Sequence, residues 1–159
     1  MEISKGTVSQ VIGAVVDVYF EENRRIPFIY EAMEINRPDG HRVVLECQQD
    51  MGERTVRAIS MDSTDGLYRG MEVVALGTGI SVPTGDEING RLFNVIGDPI
   101  DGIGPVQSKE RRAIHQEPPS FDQLTTNEEV LYTGIKAIDM IEPYMKGGKV
   151  GLFGGAGGG

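Results

Sequence analysis

The residues best placed to do chemistry lie in the last eleven positions, Lys149 to Gly159, which read K-V-G-L-F-G-G-A-G-G-G. A phosphate loop has the spacing G-x-x-x-x-G-K-[ST], and Gly154 and Gly159 stand at the positions of its two glycines. Glycines let a backbone take positive φ and approach a phosphate closely, so that several N–H groups converge where a helix begins. Gly154, Gly155, Ala156, Gly157, Gly158 and Gly159 are therefore the candidate nucleotide-binding residues. The lysine that meets the terminal phosphates and the hydroxyl residue that holds Mg²⁺ do not occur within the 159 residues. On these residues alone a flexible glycine linker or a cloning remnant fits equally well.

Other polar groups offer less. Asp62, Asp65, Asp98 and Asp101 include carboxylates of the kind that bind hard cations. Each lies in or beside a turn marked by glycine or proline, where an aspartate commonly bonds its own backbone, and turn chemistry is the better reading. His41 and His115 have no second ligand nearby in sequence and are expected at the surface. Lys109, Arg111 and Arg112 form a small basic cluster, expected in a solvated loop or against acidic neighbours. No catalytic residue and no metal ligand is assigned.

Composition narrows the class. The net charge of −9 is spread evenly, with 13 acids and 8 bases in residues 1–80 and 11 and 7 in residues 81–159, which does not suit binding to nucleic acid. Cys47 is the only cysteine, so it can form neither an intrachain disulfide nor part of a cysteine-rich metal site; it is expected as a small core residue. No apolar run approaches the roughly 18 residues of a membrane-spanning helix, and Met1-Glu2-Ile3 does not open a signal peptide. Membrane association is expected only through partner proteins.

The elements that must position the tail begin as strands. Thr7 to Phe20 places Val8, Ile12, Ala14, Val16, Val18 and Phe20 on one parity, with Gly13 as the bend of a long curving strand. Pro27 to Ile35 and Val43 to Gln48 are joined by Asn36-Arg37-Pro38-Asp39-Gly40, whose Asp-Gly pair favours a tight hairpin. Thr55 to Met61 puts Val56, Ala58 and Ser60 on one face, and Met71 to Leu76 follows. These short strands make a sandwich or a small barrel, and a barrel is preferred because closure removes exposed edges.

Beyond Gly77-Thr78-Gly79 the character changes. Ile80 to Pro83 is either a last barrel strand or a linker, Arg91 to Ile96 reads as a strand, and residues 104–124 read as long and irregular. Thr133 to Ile141 is the clearest helix, with Thr133 as N-cap and Ile135, Ile138 and Ile141 at spacings of three. Val150 to Phe153 reads as a buried parallel strand leading into the glycines.

In this order the segments resemble one family. Val11-Ile12-Gly13-Ala14-Val15-Val16-Asp17-Val18, Met61-Asp62-Ser63-Thr64-Asp65-Gly66-Leu67 and Gly90-Arg91-Leu92-Phe93-Asn94-Val95-Ile96-Gly97 are similar to the N-terminal portion of the F-type ATP synthase catalytic beta subunit. So are Pro118-Pro119-Ser120-Phe121, Thr133-Gly134-Ile135-Lys136-Ala137-Ile138-Asp139 and Gly151-Leu152-Phe153-Gly154-Gly155-Ala156-Gly157. The noncatalytic alpha subunit shares the barrel and the helix start, but the Met61–Leu67 turn and the loop opening look like beta. Gly158 departs from the family's pattern, which has valine there.

The resemblance implies a six-stranded antiparallel β-barrel over residues 1–80 and the first part of an α/β P-loop nucleotide-binding domain over 81–159. It also implies that the parent protein makes ATP from ADP and phosphate, and hydrolyses it in reverse, with ATP or ADP and Mg²⁺ bound. The implied partners are alpha subunits in an alternating hexamer and a central-stalk gamma subunit, peripheral on the cytoplasmic face of a bacterial cell membrane. Residues 1–159 alone are expected to be a catalytically inert fragment that ends inside the phosphate loop; the alternatives are a noncatalytic structural module whose barrel mediates alpha-beta hexamer contacts, the alpha subunit, or another rotary ATPase relative.

Overall fold

In the computed structural model, residues 3–124 and 129–156 are described. The chain forms two compact units, Met1–Gln116 and Glu117–Gly159.

Six strands of the first unit close into an antiparallel barrel: β1 (Ser4–Ile12), β2 (Val15–Tyr19), β3 (Glu31–Asn36), β4 (Arg42–Gly52), β5 (Thr55–Ser60) and β6 (Glu72–Gly79). Their order around the barrel is β1-β2-β5-β4-β3-β6, with β6 pairing back onto β1. Closure leaves no free edge, as the alternating pattern led us to expect. The interior is filled by Val8, Val16, Val18, Phe20, Met33, Ile35, Val43, Leu45, Cys47, Val56, Ala58, Val73 and Ala75, all buried in one cluster. Cys47 is a core residue, and burial in apolar surroundings, with the nearby Glu31 charge adding to it, pushes its thiol up to about 11.

The predicted long strand from Thr7 to Phe20 is instead a hairpin. Gly13 takes φ 58°, the left-handed region, and the chain reverses at Gly13-Ala14. The alternating apolar pattern continues in phase through this reversal and so conceals it. A register shift between Val8 and Gln10 then changes which side chains face inward. Val11, opposite Val16, packs on the core, whereas Ile12, placed in the interior by parity, is 56% exposed.

Outside the barrel a second small cluster forms. Ile80, with Leu76, Met61 and Ile96, covers Ala32 and Val44 on the outer surface of β3 and β4. β7 (Ser81–Thr84) does not join the barrel; it pairs with β8 (Glu110–Ala113) in a separate antiparallel ribbon. The segment expected to be irregular over residues 104–124 therefore contains a strand, and Arg111 and Arg112 lie on it. The predicted strand from Arg91 to Ile96 is absent: Asn94 to Gly97 is a turn, flanked by a single bridge between Phe93 and Pro99. Its Asn94 side chain accepts the amides of Ile96 and Asp98 at 3.2 and 2.8 Å, a local alternative that competes with extended pairing.

Gly97 seats this turn. Its φ is 79°, and a Cβ there would stand 2.7 Å from Pro83 Cδ and 3.0 Å from Val82 Cα. Gly102, at φ 74°, has open space around the same position. Gly97→Ala is therefore expected to cost about 1–3 kcal/mol by forcing the turn off β7, and more than Gly102→Ala, which carries only the conformational term. Urea unfolding of the two variants, compared with wild type, checks this; equal losses would refute the packing role of Gly97.

In the second unit β9 (Val130–Leu131) pairs with β10 (Tyr144–Met145), and α1 covers Lys136–Ile141. The helix starts three residues later than expected, and Thr133 does not cap it. Asp139 organises its entry instead, accepting the Thr133 amide and hydroxyl at 2.9 and 2.7 Å and the Gly134 amide at 3.0 Å. These bonds, the Thr133 amide first, hold the Asp139 carboxyl below its ordinary range. Residues before Lys136 are thereby drawn into a turn rather than a helix. Val150 to Phe153, expected as a buried strand, is not extended into a sheet, and Leu152 and Phe153 are 78% and 97% exposed. A parallel strand needs flanking strands to take its N–H and C=O groups, and no described strand pairs with it.

Candidate functional site

The glycine tail is described as far as Ala156. Gly154 and Gly155 have no regular structure, Ala156 sits in a turn, and all three are exposed. Gly157, Gly158 and Gly159 lie outside the described residues. A Cβ at Gly155 would meet nothing within 4 Å, so no group of the chain approaches closely enough to require a glycine there. No step of phosphoryl chemistry follows from the described part of the loop.

The polar groups that the structure does bring together belong to the barrel unit. Glu31, completely buried at the start of β3, accepts from Arg25 Nη1 and Nη2 at 2.7 and 2.6 Å, from the Phe28 amide at 3.0 Å and from the Gly77 amide at 2.7 Å. Burial alone would raise this carboxyl, but the Arg25 bond, the two amides and the Arg25 charge together hold it below its ordinary value. One side chain thus ties the loop before β3 to the far end of β6. Nothing in the sequence marked it, because an acid at the start of a strand looks like a surface residue until its partners, from Arg25 to Gly77, are placed around it.

Asp17 and Arg57 face each other across β2 and β5 on the outer surface, with guanidinium to carboxylate bonds of 2.8 and 2.9 Å. The Arg57 hydrogen bond holds the Asp17 carboxyl down against its partial burial. Asp101 accepts from Arg91 at 2.6 and 3.0 Å and from the amides of Leu92 and Ile103 at 3.2 and 3.1 Å, and the Arg91 bond pulls it far below the carboxylate range. Carboxylates held down this way stay ionised near neutral pH and are poor general acids. Their arrangement fixes loops rather than moving protons.

The other candidates are divided between turns and ion pairs. Asp62 accepts the Ser63 amide at 2.7 Å and lies 2.9 Å from His41 Nε2, whose hydrogen bond holds its carboxyl down. The Asp65 amide donates to Ser63 Oγ at 3.2 Å, which closes the same turn. Asp98 takes Arg42 at 3.0 Å while that arginine also reaches Glu34 at 2.7 Å. His115 lies at the surface, as expected, with its side chain 43% exposed, and there it stacks on Tyr30 and lies 2.9 Å from Glu46 Oε2. A cleft of about 410 Å³ runs past His41, Arg42, Asp62, Asn94 and Asp98, but its charged groups are already paired with one another. Among the described residues, no group of three or more His, Cys, Asp or Glu is placed to hold a metal ion.

The exposed surface of the barrel includes an apolar stripe. Ile12 lies opposite Val15, and Val15 lies opposite Ile59, so the three form a stripe across the outer face of β1, β2 and β5. Ile12 and Ile59 are 56% and 40% exposed. Among the described residues no helix is long and apolar enough to cross a membrane.

Six antiparallel strands closed around a packed interior make a small β-barrel. Residues 8–77, which run from β1 to β6, match the sequence model of the ATP synthase alpha/beta family, beta-barrel domain. Over those residues the barrel is similar to the beta-barrel domain of the ATP synthase alpha/beta family.

Proposed function

We propose that the barrel is an assembly module of a catalytic beta-type subunit of a proton-translocating ATP synthase. It would pack beside the barrels of alternating alpha subunits, around a central gamma stalk, at the cytoplasmic face of a bacterial membrane. The observation that carries the assembly role is the Ile12–Val15–Ile59 stripe on the outer face of the closed barrel. The beta-type reading rests on the Met61–Leu67 turn and the opening Gly151 to Gly157, and under it Gly154 to Gly159 are the front of the site for ATP or ADP with Mg²⁺. In this reading residues 1–80 are the barrel domain and residues 81–159 begin the nucleotide-binding domain.

The test is competition. Residues 1–159 are added to alpha subunits and intact beta subunits of the family during reassembly, and hexamers are counted by native mass spectrometry. Excess chain should lower the yield of complete hexamers, and Ile59→Lys should abolish that effect with thermal unfolding changed by no more than about 0.5 kcal/mol, as for an exposed site. An undiminished hexamer yield would refute the assembly role. The same polypeptide is expected to release no phosphate from Mg-ATP above a protein-free blank.

A further inference from the structure

We propose that residues 110–115, β8 with the two residues after it, form a releasable strap on the barrel unit, and that His115 is its catch. Two kinds of contact hold the strap. The first is its ladder with β7, from Ser81↔Ala113 to Thr84↔Glu110, extended by the Ile114 amide donating to Ile80 O at 3.0 Å. Side chains add to that ladder, Arg111 donating to Ser81 Oγ at 3.2 Å and to Ser81 O at 2.6 Å and Thr84 Oγ1 donating to Glu110 O at 3.4 Å. The second kind is the His115 side chain, which reaches the barrel strands rather than β7. All four residues of β8 are exposed, so no apolar side chain of that strand anchors it.

The receptacle for His115 is built by the barrel. Tyr30 stands in the left-handed region at φ 69°, its amide donating to Cys47 O at 2.7 Å, which fixes the loop just before β3. Its ring stacks on the imidazole with centroids 3.9 Å apart and planes 18° from parallel. Glu46, on β4, presents Oε2 to His115 Nε2 at 2.9 Å, while Gln48 Nε2 donates to Oε1 at 2.6 Å. The Glu46 side chain is only 5% exposed, so the bond to His115 is made by a carboxylate that little water reaches, where such a bond is strongest. The bonds of Arg111 and Glu110 tie the strap to β7, and His115 is the side chain that ties it to the barrel receptacle, so release of residues 110–115 from the barrel depends on that contact. The barrel's own strands do not use that contact, so the strap opens without them.

Hydrogen exchange by mass spectrometry and limited trypsinolysis of the full chain test this, since Lys109, Arg111 and Arg112 place cleavable bonds on or beside the strap. In His115→Ala, exchange of residues 110–115 and cleavage after Arg111 and Arg112 should rise about tenfold or more, while β1 to β6 exchange as in wild type. His115→Phe keeps a ring against Tyr30 but removes the bond to Glu46, and gives the same readout should the alanine variant fail to fold. Unchanged strap exchange would overturn the proposal. So would an equal rise across the barrel strands, which would make His115 a general support of the unit.

Discussion

Glu31→Ala is expected to destabilise the barrel by about 3–5 kcal/mol, the cost typical of breaking a buried ion pair by removing one partner. The substitution removes the carboxylate that Arg25, about one-third exposed, donates to, and leaves a cavity where a fully buried side chain stood. It also leaves the Phe28 and Gly77 amides without the carboxylate they donate to. Because those groups lie in the loop before β3 and at the end of β6, the loss should appear as opening of the β3–β6 seam before the rest of the barrel. Urea titration followed by exchange of the β3 and β6 amides checks both magnitude and location. A change below about 1 kcal/mol would show that the network is not a structural tie.

The same carboxylate dictates an acid response. Its folded value is depressed, so its contribution is fully present above the unfolded value, about 4.3 for glutamate, and is lost as pH falls through the folded value. Asp17, depressed chiefly by its Arg57 hydrogen bond, acts in the same direction. Wild-type stability should therefore fall below about pH 4, and Glu31→Gln, which has no proton to bind, should flatten that fall while being less stable at neutral pH. An acid arm as steep as that of the wild type would assign the response to other carboxylates.

Phe20→Ala is expected to cost a similar amount, about 3–5 kcal/mol, through lost burial and the cavity that remains. Phe20 is fully buried and follows β2, where the Phe20 amide and carbonyl are held by Arg54: the amide donates to Arg54 O at 2.9 Å, and Arg54 Nε donates to Phe20 O at 2.9 Å. Its ring occupies space left by Gly6, at which a Cβ would lie 2.9 Å from two ring carbons and 2.8 Å from Tyr19 O. Gly6→Ala should therefore destabilise the wild type by forcing β1 away from β2. In a Phe20→Leu background, where the ring is gone but the Tyr19 carbonyl stays, the cost of Gly6→Ala should be smaller by about 0.5 kcal/mol or more. Strict additivity in this double-mutant cycle would mean that the backbone clash alone makes position 6 a glycine.

Much of the fold was legible because a barrel interior is written in period two. Val56, Ala58 and Ser60 were assigned to one face, and all three are buried. The Asp39-Gly40 turn forms, with Gly40 at φ 84° between β3 and β4. Where the reading failed, a local bond or a distant partner intervened. The Asn94 side chain closed a turn in place of a strand, Asp139 reached back to Thr133 and displaced a helix cap, and a register shift turned Ile12 outward. The glycine tail was legible as a motif, but a motif carries only spacing, and a cradle requires that the peptide groups converge.

From the sequence alone one could conclude that short strands with a continuous apolar face would close on themselves, that Cys47 would lie in the core, and that Asp62 and Asp101 would bond nearby backbone amides. Alternation, composition and turn chemistry act between residues close in the chain, so they can be read from it directly. Only the tertiary structure decided that β6 would seal against both β1 and β3, that Glu31 would be the buried tie at that seam, and that His115 would find Glu46 across a sequence separation of 69. Those contacts exist because closing the barrel brings distant residues within hydrogen-bond reach and excludes water from them, and neither condition is present until the chain has folded.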